Sequence, residues 1–345
     1  MKKIDLDKVA KALGVSKTLV SLVLNDKGAK YGISEKTQKE VIKKAKELNY
    51  KPNLIARGLR TGRSNIIGLV VADISNPFYA RISRSIEKMA SKNGYNLIIC
   101  SSEENEEKEE QLIDILVRGQ NADGVIVSST QKNSAYFSKL QKENTPFVLI
   151  DRYIPRLNAN YVTVDNFNGA FAITEHLIRL GYKKIGMLTI SPHFISTISD
   201  RVKGYKAALK KNNVPFNKKI VREIPFATAY ESVDKEIREL TGKGGVDALF
   251  VVNNNLAVYC LEVLNKIGLR IPQDVALTCF DDLEMFKFCD PSITAVAQPV
   301  EDIGHNAFEL LLNQMKAKEK ASVKQIVLPT ELIIRRSCGK YLRGS

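Results

Sequence analysis

The sequence holds only three histidines, His176, His193 and His305, far apart and none within an H-E-x-x-H run. No G-x-G-x-x-G follows an apolar run, no P-loop occurs, and no G-x-S-x-G nucleophile elbow is present. The five cysteines, Cys100, Cys260, Cys279, Cys289 and Cys338, are scattered, odd in number and without close pairs. That argues against a disulfide framework or a zinc site and suits a reducing cytoplasm. No stretch reaches the ~18 uninterrupted apolar residues needed to span a membrane. Lys2 and Lys3 are followed by Asp5 and Asp7 rather than by an apolar segment, so no secretory signal is expected. Asp281-Asp282 could in principle act as acid and base, but adjacent carboxylates on a loop point in different directions. No catalytic residue, cofactor or metal is therefore expected.

What is present is unevenly distributed. The chain has 345 residues, enough for about two to three domains with sizeable cores. Its net charge is +14, yet residues 1–65 hold 16 Lys and Arg against 6 Asp and Glu, a balance of +10. The remaining 280 residues carry 36 against 32. A basic headpiece on a near-neutral body is the electrostatic footprint of a nucleic-acid binder.

Within that headpiece, a short helix is expected over Leu6–Leu13. Gly14 can take the tight turn that follows, because it has no Cβ to resist it. Ser16 is a good N-cap for a second helix ending near Asn25 and Gly28. Two short helices joined by a Gly-containing turn form a helix-turn-helix, whose second helix lies in the DNA major groove. Ser34 can cap a third helix over 34–49, with Val41, Ile42, Ala45 and Leu48 at helical spacing. Tyr50-Lys51-Pro52-Asn53 then breaks the helical pattern. Leu54–Arg60 could form about two further turns, too short to be stable alone in water. This stretch reads as a linker that orders on DNA or as a passive one.

From Asn65 onward, apolar runs recur at Ile66–Val71, Leu97–Cys100, Val125–Val127, Phe147–Ile150, Tyr161–Val164, Ile185–Ile190, Ala248–Val252 and Val275–Thr278. Helical patterns separate most of them: Tyr79–Asn93, Glu106–Gly119, Asn166–Leu180, Arg201–Lys211, Tyr230–Leu240 and Leu256–Ile267. Strands alternating with helices imply parallel sheets covered on both faces, and the length suits two of them. No internal repeat or low-complexity tract is visible. The acidic run Glu103–Glu110 reads as a solvated loop and helix start.

Ligands of open α/β sheets bind beyond the carboxyl ends of the strands. Those ends are polar here: Asp73–Tyr79, Ser128-Ser129-Thr130, Asp151-Arg152, Ser191, Asn253-Asn254-Asn255 and Asp281-Asp282, with Arg201 expected to open a helix. Carboxylates, amides and an arginine converging between two lobes, with Phe78 as an apolar face, suit a small polyhydroxylated or charged ligand.

In order and spacing these segments resemble the lac repressor/galactose repressor family of bacterial transcription regulators, over nearly the whole chain. The headpiece pattern is Val9-Ala10, Gly14-Val15-Ser16, Val20-Ser21 and Val23-Leu24-Asn25; the linker pattern is Leu48–Asn53, Ala56-Arg57 and Leu59. The core pattern includes Ile67-Gly68, Asp73–Tyr79, Asp151-Arg152, Asp165-Asn166, Arg201, Gly204-Tyr205, Phe280–Asp282, Asp290–Thr294, Gln298-Pro299 and Leu328–Leu332. The resemblance implies a small all-α helix-turn-helix headpiece and a two-lobed, periplasmic-binding-protein-like α/β core with parallel sheets. It places the headpiece at 1–50, a hinge helix at 51–63 and the core at 64–340. The first lobe would take about 64–162 and 293–325, and the second about 166–290 and 328–340. Chain exchange between lobes is expected near Tyr161–Asn166, Pro291–Thr294 and Gln325–Thr330.

Residue by residue, the resemblance puts Lys17, Thr18, Ser21 and Leu22 at DNA-reading positions, with Asn25 near the DNA backbone. Asn53 would start the hinge helix, Ala56 would lie within it, and Leu59 would wedge into the minor groove at the operator centre. Phe78, Asp151, Arg201, Asn253 and Asp281 match positions lining an effector pocket, and Phe226 matches a pocket aromatic. Three departures stand out. Leu22 replaces a common Arg, exchanging a bidentate guanine contact for an apolar one suited to a thymine methyl. Lys27–Gly32 lengthens the loop before the third helix. Cys279 stands where a glycine is common, and Asn253-Asn254-Asn255 where an Asn-Asp is common. Past Ser337 there are no apolar heptads, so a dimer is expected.

The sequence therefore predicts a cytoplasmic, nucleoid-associated, ligand-responsive repressor of carbohydrate-related genes. Its partners would be an operator duplex, a sugar or sugar derivative, and a second copy of the chain, with no membrane. The alternative is a sugar-binding protein with no DNA role.

Overall fold

The computed structural model describes residues 5–50, 63–317 and 322–340. The chain divides between Ser64 and Asn65 into a small and a large unit.

The small unit is three helices, α1 (Leu6–Leu13), α2 (Lys17–Leu24) and α3 (Glu35–Glu47). Each begins on a side-chain cap: Asp5 accepts from Lys8 N–H at 3.0 Å, Ser16 from Leu19 N–H at 3.1 Å and Ser34 from Thr37 N–H at 3.2 Å. Gly14 closes α1 at a φ of 65°, a left-handed conformation that residues with a Cβ resist. The turn lets Val15 N–H reach back to Ala10 O at 3.1 Å. Val9, Ala10, Val20, Val23, Val41 and Ala45 form the buried core. The lengthened loop holds a 3-10 turn, Ala29–Tyr31. The third helix stops two residues short of its expected end, because Asn49 turns to a φ of 49°.

The large unit contains two six-stranded sheets. The first lobe runs β1 (Ile66–Val71), α4 (Pro77–Lys92), β2 (Asn96–Ser101), α5 (Glu106–Asp114), β3 (Gly124–Val127), α6 (Ala135–Lys142), β4 (Phe147–Ile150) and β5 (Tyr161–Val164). The second runs α7 (Asn166–Arg179), β6 (Ile185–Ser191), α8 (Ser196–Lys211), β7 (Val221–Pro225), α9 (Ala229–Thr241), β8 (Ala248–Val251), α10 (Asn254–Lys266), β9 (Ala276–Phe280) and β10 (Thr294–Ala297). The chain then returns α11 (Val300–Lys316) and β11 (Gln325–Leu328) to the first lobe and β12 (Glu331–Ile333) to the second. The sheet orders are β11-β5-β4-β3-β1-β2 and β12-β10-β9-β8-β6-β7. Every pairing is parallel except β10 with β12.

The apolar runs are continuous because both faces of each sheet are covered. In β4, Val148 and Ile150 pack beside Ile82, Ile86 and Phe308, while Phe147 and Leu149 pack with Ile113, Leu116 and Phe137. Gly204 lets α7 and α8 approach closely: a Cβ there would lie 2.2 Å from Phe167 O.

Several expectations need correction. Thr294–Ala297 pairs with β9 and β12, so it belongs to the second sheet. The return to the first lobe therefore falls beyond Ala297, at Gln298-Pro299, and not at Pro291–Thr294. The first lobe likewise keeps Gln325–Leu328, whose ladder to β5 runs the length of the strand. Four strands, β7, β10, β11 and β12, were not separable as apolar runs. β7, β11 and β12 lie at sheet edges, where polar residues alternate in. α6 and α11 were also missed. α8 begins at Ser196, so Arg201 lies inside the helix rather than opening it. The acidic run is not a solvated loop throughout: Glu109 is fully buried and Glu104 is largely so.

Candidate functional site

On α2, Val20 and Val23 face the headpiece core. Lys17 and Thr18 are exposed on the other side, and Ser21, Leu22 and Asn25 are half-exposed. The spacing brings these five onto one outward face, since residues three and four apart are neighbours on a helix. Lys17 Nζ lies 3.1 Å from Asp7 Oδ1 on α1. Hydrogen bonds from Lys11 and Lys17 hold the Asp7 carboxyl below its ordinary range. Asn25 Nδ2 donates to Ser21 O at 2.6 Å, tying the end of the helix to its own last turn. Asn53, Ala56 and Leu59, like Lys2 and Lys3, lie outside the described residues.

In the large unit, the carboxyl ends of the strands in both lobes meet around a cavity of about 240 Å³. Its lining brings together all six residues singled out from the sequence: Phe78, Asp151, Arg201, Phe226, Asn253 and Asp281. Asp151 follows β4 at a φ of 63° and Asp281 follows β9 at 75°. This left-handed backbone aims each carboxylate into the cleft. Asp151 Oδ2 accepts from Tyr79 Oη at 2.9 Å and from Ser128 Oγ at 3.5 Å. Burial pushes its carboxyl pKa up, against the lowering pull of Arg152 and Arg201.

Arg201 is nearly fully buried. Its Nε donates to Asn166 Oδ1 at 2.8 Å and its Nη1 to Val252 O at 2.7 Å; Nη1 also lies 3.5 Å from Asp281 Oδ2. Its guanidinium carbon sits 3.7 Å above the centre of the Phe280 ring. Gln298, on the crossover, donates from Nε2 to Asp281 Oδ1. Asn253 caps α10 by accepting from Leu256 N–H at 2.9 Å, which consumes its side-chain oxygen. Phe226 follows β7 in a 3-10 turn, Phe226–Thr228.

Other expected polar groups serve the scaffold. Ser129 Oγ donates to Glu109 Oε1 at 2.7 Å; Thr130 N–H and Oγ1 donate to Glu109 Oε2 at 2.6 and 2.8 Å. Burial pushes the Glu109 carboxyl up to about 7 despite these donors. Asp282 turns away from Asp281 and accepts both Arg335 Nη groups at 2.7 and 2.8 Å. Cys279 is fully buried within β9, behind the cleft wall.

The structure also adds residues that the sequence did not single out. Arg152 holds Glu104 in a bidentate pair at 2.6 and 2.5 Å, and both line the cleft. Asp151-Arg152 was visible as a motif, but its partner was hidden in the acidic run. Across the cleft, Asn76 and Asn254 exchange amide hydrogen bonds at 2.8 and 3.2 Å. Tyr153 N–H donates to Ser196 Oγ and Tyr153 Oη to Asp200 Oδ2, each at 3.0 Å. No sequence signal pairs residues so far apart.

Residues 5–53 match the profile of bacterial regulatory proteins of the lacI family, and residues 174–338 that of the periplasmic binding protein-like domain. The HTH-type transcriptional regulator DegA of Bacillus subtilis is 32% identical over 332 residues, covering 95% of this chain and 96% of that one. The chain belongs to the lacI family. It is a transcription regulator with a helix-turn-helix DNA-binding domain. Among solved structures, the transcriptional regulator CelR in complex with cellobiose is 28% identical, with a TM-score of 0.71 over 97% of this chain and 100% of that one. The lac repressor dimer bound to operator shares the fold of this lacI-family chain, at 22% identity and a TM-score of 0.82 over 98% and 99% of the two chains. Among the described residues, no helix is long and apolar enough to cross a membrane.

Proposed function

We propose that the cleft is the effector site of a dimeric repressor acting at a near-palindromic operator of carbohydrate-related genes. The observation that carries this reading is that strand ends from both lobes line one cavity, so a ligand there touches both lobes at once. A ligand shifts an equilibrium only through its differential affinity for the two states. Phe78 and Phe226 offer apolar faces to a sugar ring; Asp151, Arg201, Asn253 and Asp281 offer polar contacts. The cellobiose complex of the related regulator supports a carbohydrate ligand.

Opening the lobes would break the Asn76–Asn254, Tyr153–Ser196, Tyr153–Asp200 and Gln298–Asp281 contacts. Each is worth about 0.5–1.5 kcal/mol net, so the closed arrangement lies within reach of a ligand's binding energy. The lobe arrangement sets the separation of the two protomers' first lobes. That separation biases whether the paired hinge segments, with Asn53, Ala56 and Leu59, fold on the operator. Lys17, Thr18, Ser21 and Leu22 read the major groove, with Asn25 beside the DNA backbone. Leu22 meets a thymine methyl rather than a guanine edge. Asp281 and Asp282 face different partners, and the protein acts in the cytoplasm at the nucleoid without catalysis.

Selection of the full-length protein on a random duplex library, with and without a pool of sugars, tests this. The expected result is an enriched near-palindrome with T·A opposite Leu22 and a recovery that changes with one sugar. Enrichment of guanine at that position removes the Leu22 assignment. Failure to enrich any sequence at low salt overturns the operator reading.

A further inference from the structure

The charge inventory of the cleft bears on which ligand it admits. Five carboxylates line it, from Asp73, Glu104, Asp151, Glu231 and Asp281, against the two guanidiniums of Arg152 and Arg201; among the described residues no lysine or histidine joins them. Both cations are already engaged. Arg152 spends both Nη groups on Glu104, and its Nε lies 3.5 Å from Asp151 Oδ2. Arg201 is held by Asn166, Val252 O and Asp281. The wall keeps donors, among them the amide groups of Asn253 and Asn255, but each of its two cations already stands against a carboxylate. Two buried atoms of the lining have no hydrogen-bond partner among the described residues, the acceptor Gln298 Oε1 and the donor Arg152 Nε.

A carboxylate or phosphate entering this cleft would lose its hydration and gain no unpaired cation in return, next to like charges. Hydroxyl groups can donate to these carboxylates and accept from the wall's amides without bringing a charge.

We propose that the ligand is an uncharged, polyhydroxylated molecule, and that the Glu104–Arg152 pair excludes carboxylated and phosphorylated sugars. This rests on the cleft being the effector site. The pair acts by denying an incoming anion the Arg152 guanidinium.

The test is calorimetric titration of the full-length protein with neutral pentoses and hexoses and with their uronic acids, aldonic acids and phosphates. A neutral sugar is expected to bind, and its anionic counterparts to bind at least about tenfold more weakly, since a buried unpaired charge is strongly unfavourable. Glu104→Gln removes one acid and frees Arg152, so it should narrow that gap at least several-fold in favour of the anion. The wild-type panel decides the matter even if that variant does not fold. An acid or phosphate binding as tightly as its neutral parent overturns the proposal while leaving the cleft as the effector site. A gap left unchanged in folded Glu104→Gln overturns the role of the pair. No binding by any panel member, in protein that still binds operator, overturns both the proposal and the sugar reading beneath it.

Discussion

The two lobes of the core are built on one plan and stabilise their cleft by different chemistry. Their sheets share a strand order, with β4 of the first lobe in the place of β9 of the second. Asp151 and Asp281 follow those strands in the same left-handed backbone conformation. In the first lobe the carboxylate is met by two hydroxyls, Tyr79 and Ser128, with Arg152 Nε 3.5 Å away. In the second it is met by Arg201 and by Gln298 from the crossover. Tyr79 and Arg201 each come from the helix after the first strand of their own lobe, α4 after β1 and α8 after β6. The same frame thus sets each carboxylate 3.5 Å from an arginine nitrogen but adds hydroxyl donors on one wall and an amide donor on the other. Topology fixes where a cleft group stands, and local partners fix what it bonds.

The strongest test of that contrast is to remove each partner. Arg201→Ala leaves Asn166 and Val252 O without their buried donor and Asp281 without its cation, and breaking a buried ion pair costs roughly 3–5 kcal/mol. Tyr79→Phe removes the hydroxyl that bonds Asp151 and Ser128 and should cost about 1–2 kcal/mol. Urea unfolding of the two variants measures both, and equal losses would break the comparison.

The pH dependence sharpens it next. Glu109, in the first lobe, is pushed up to about 7, so between the unfolded value of 4.5 and about 7 the folded state binds more protons than the unfolded one. Its contribution to stability is present in full below 4.5 and is lost as pH rises through about 7, on the order of 3 kcal/mol. Glu109→Gln should flatten that decline in unfolding free energy measured across the window. A decline that persists unchanged in the variant would place its origin elsewhere.

The smallest effect has the opposite sign and lies in the second lobe. Burial, then Lys340 and Arg179, lowers the pKa of His176, whose Nε2 is 3.3 Å from Cys338 Sγ. Its contribution is present above the unfolded value of 6.5 and is lost as pH falls through the lower folded value. His176→Asn should remove a small acid-side loss in melting temperature and leave the neutral-pH ligand affinity unchanged.

How much of this was legible follows the range of each interaction. Ser16, Gly14 and Ser34 act within a turn of their own position, so the headpiece could be read almost residue by residue. Strands with both faces buried announced themselves as apolar runs. β10 did not announce its sheet: Thr294–Ala297 is short, and only its pairing with β9 and β12 assigns it to the second lobe. The repeated plan of the lobes was equally hidden, since the two halves share strand order without a visible sequence repeat. Glu109 and Glu104 looked like members of a solvated acidic run. Their burial depends on Thr130 and Arg152, which lie 21 and 48 residues away.

By itself, then, the sequence determined the basic helix-turn-helix headpiece, the alternation of strands and helices, and the polar strand ends that supply the cleft. Those are encoded by periodicity, capping and charge, which are local. Tertiary structure decided which carboxylate is neutralised by which partner, where the chain crosses between lobes, and which asparagines join across the cleft. Those outcomes depend on distances between residues remote in sequence, and burial in a low-dielectric interior is what gives them their energetic weight.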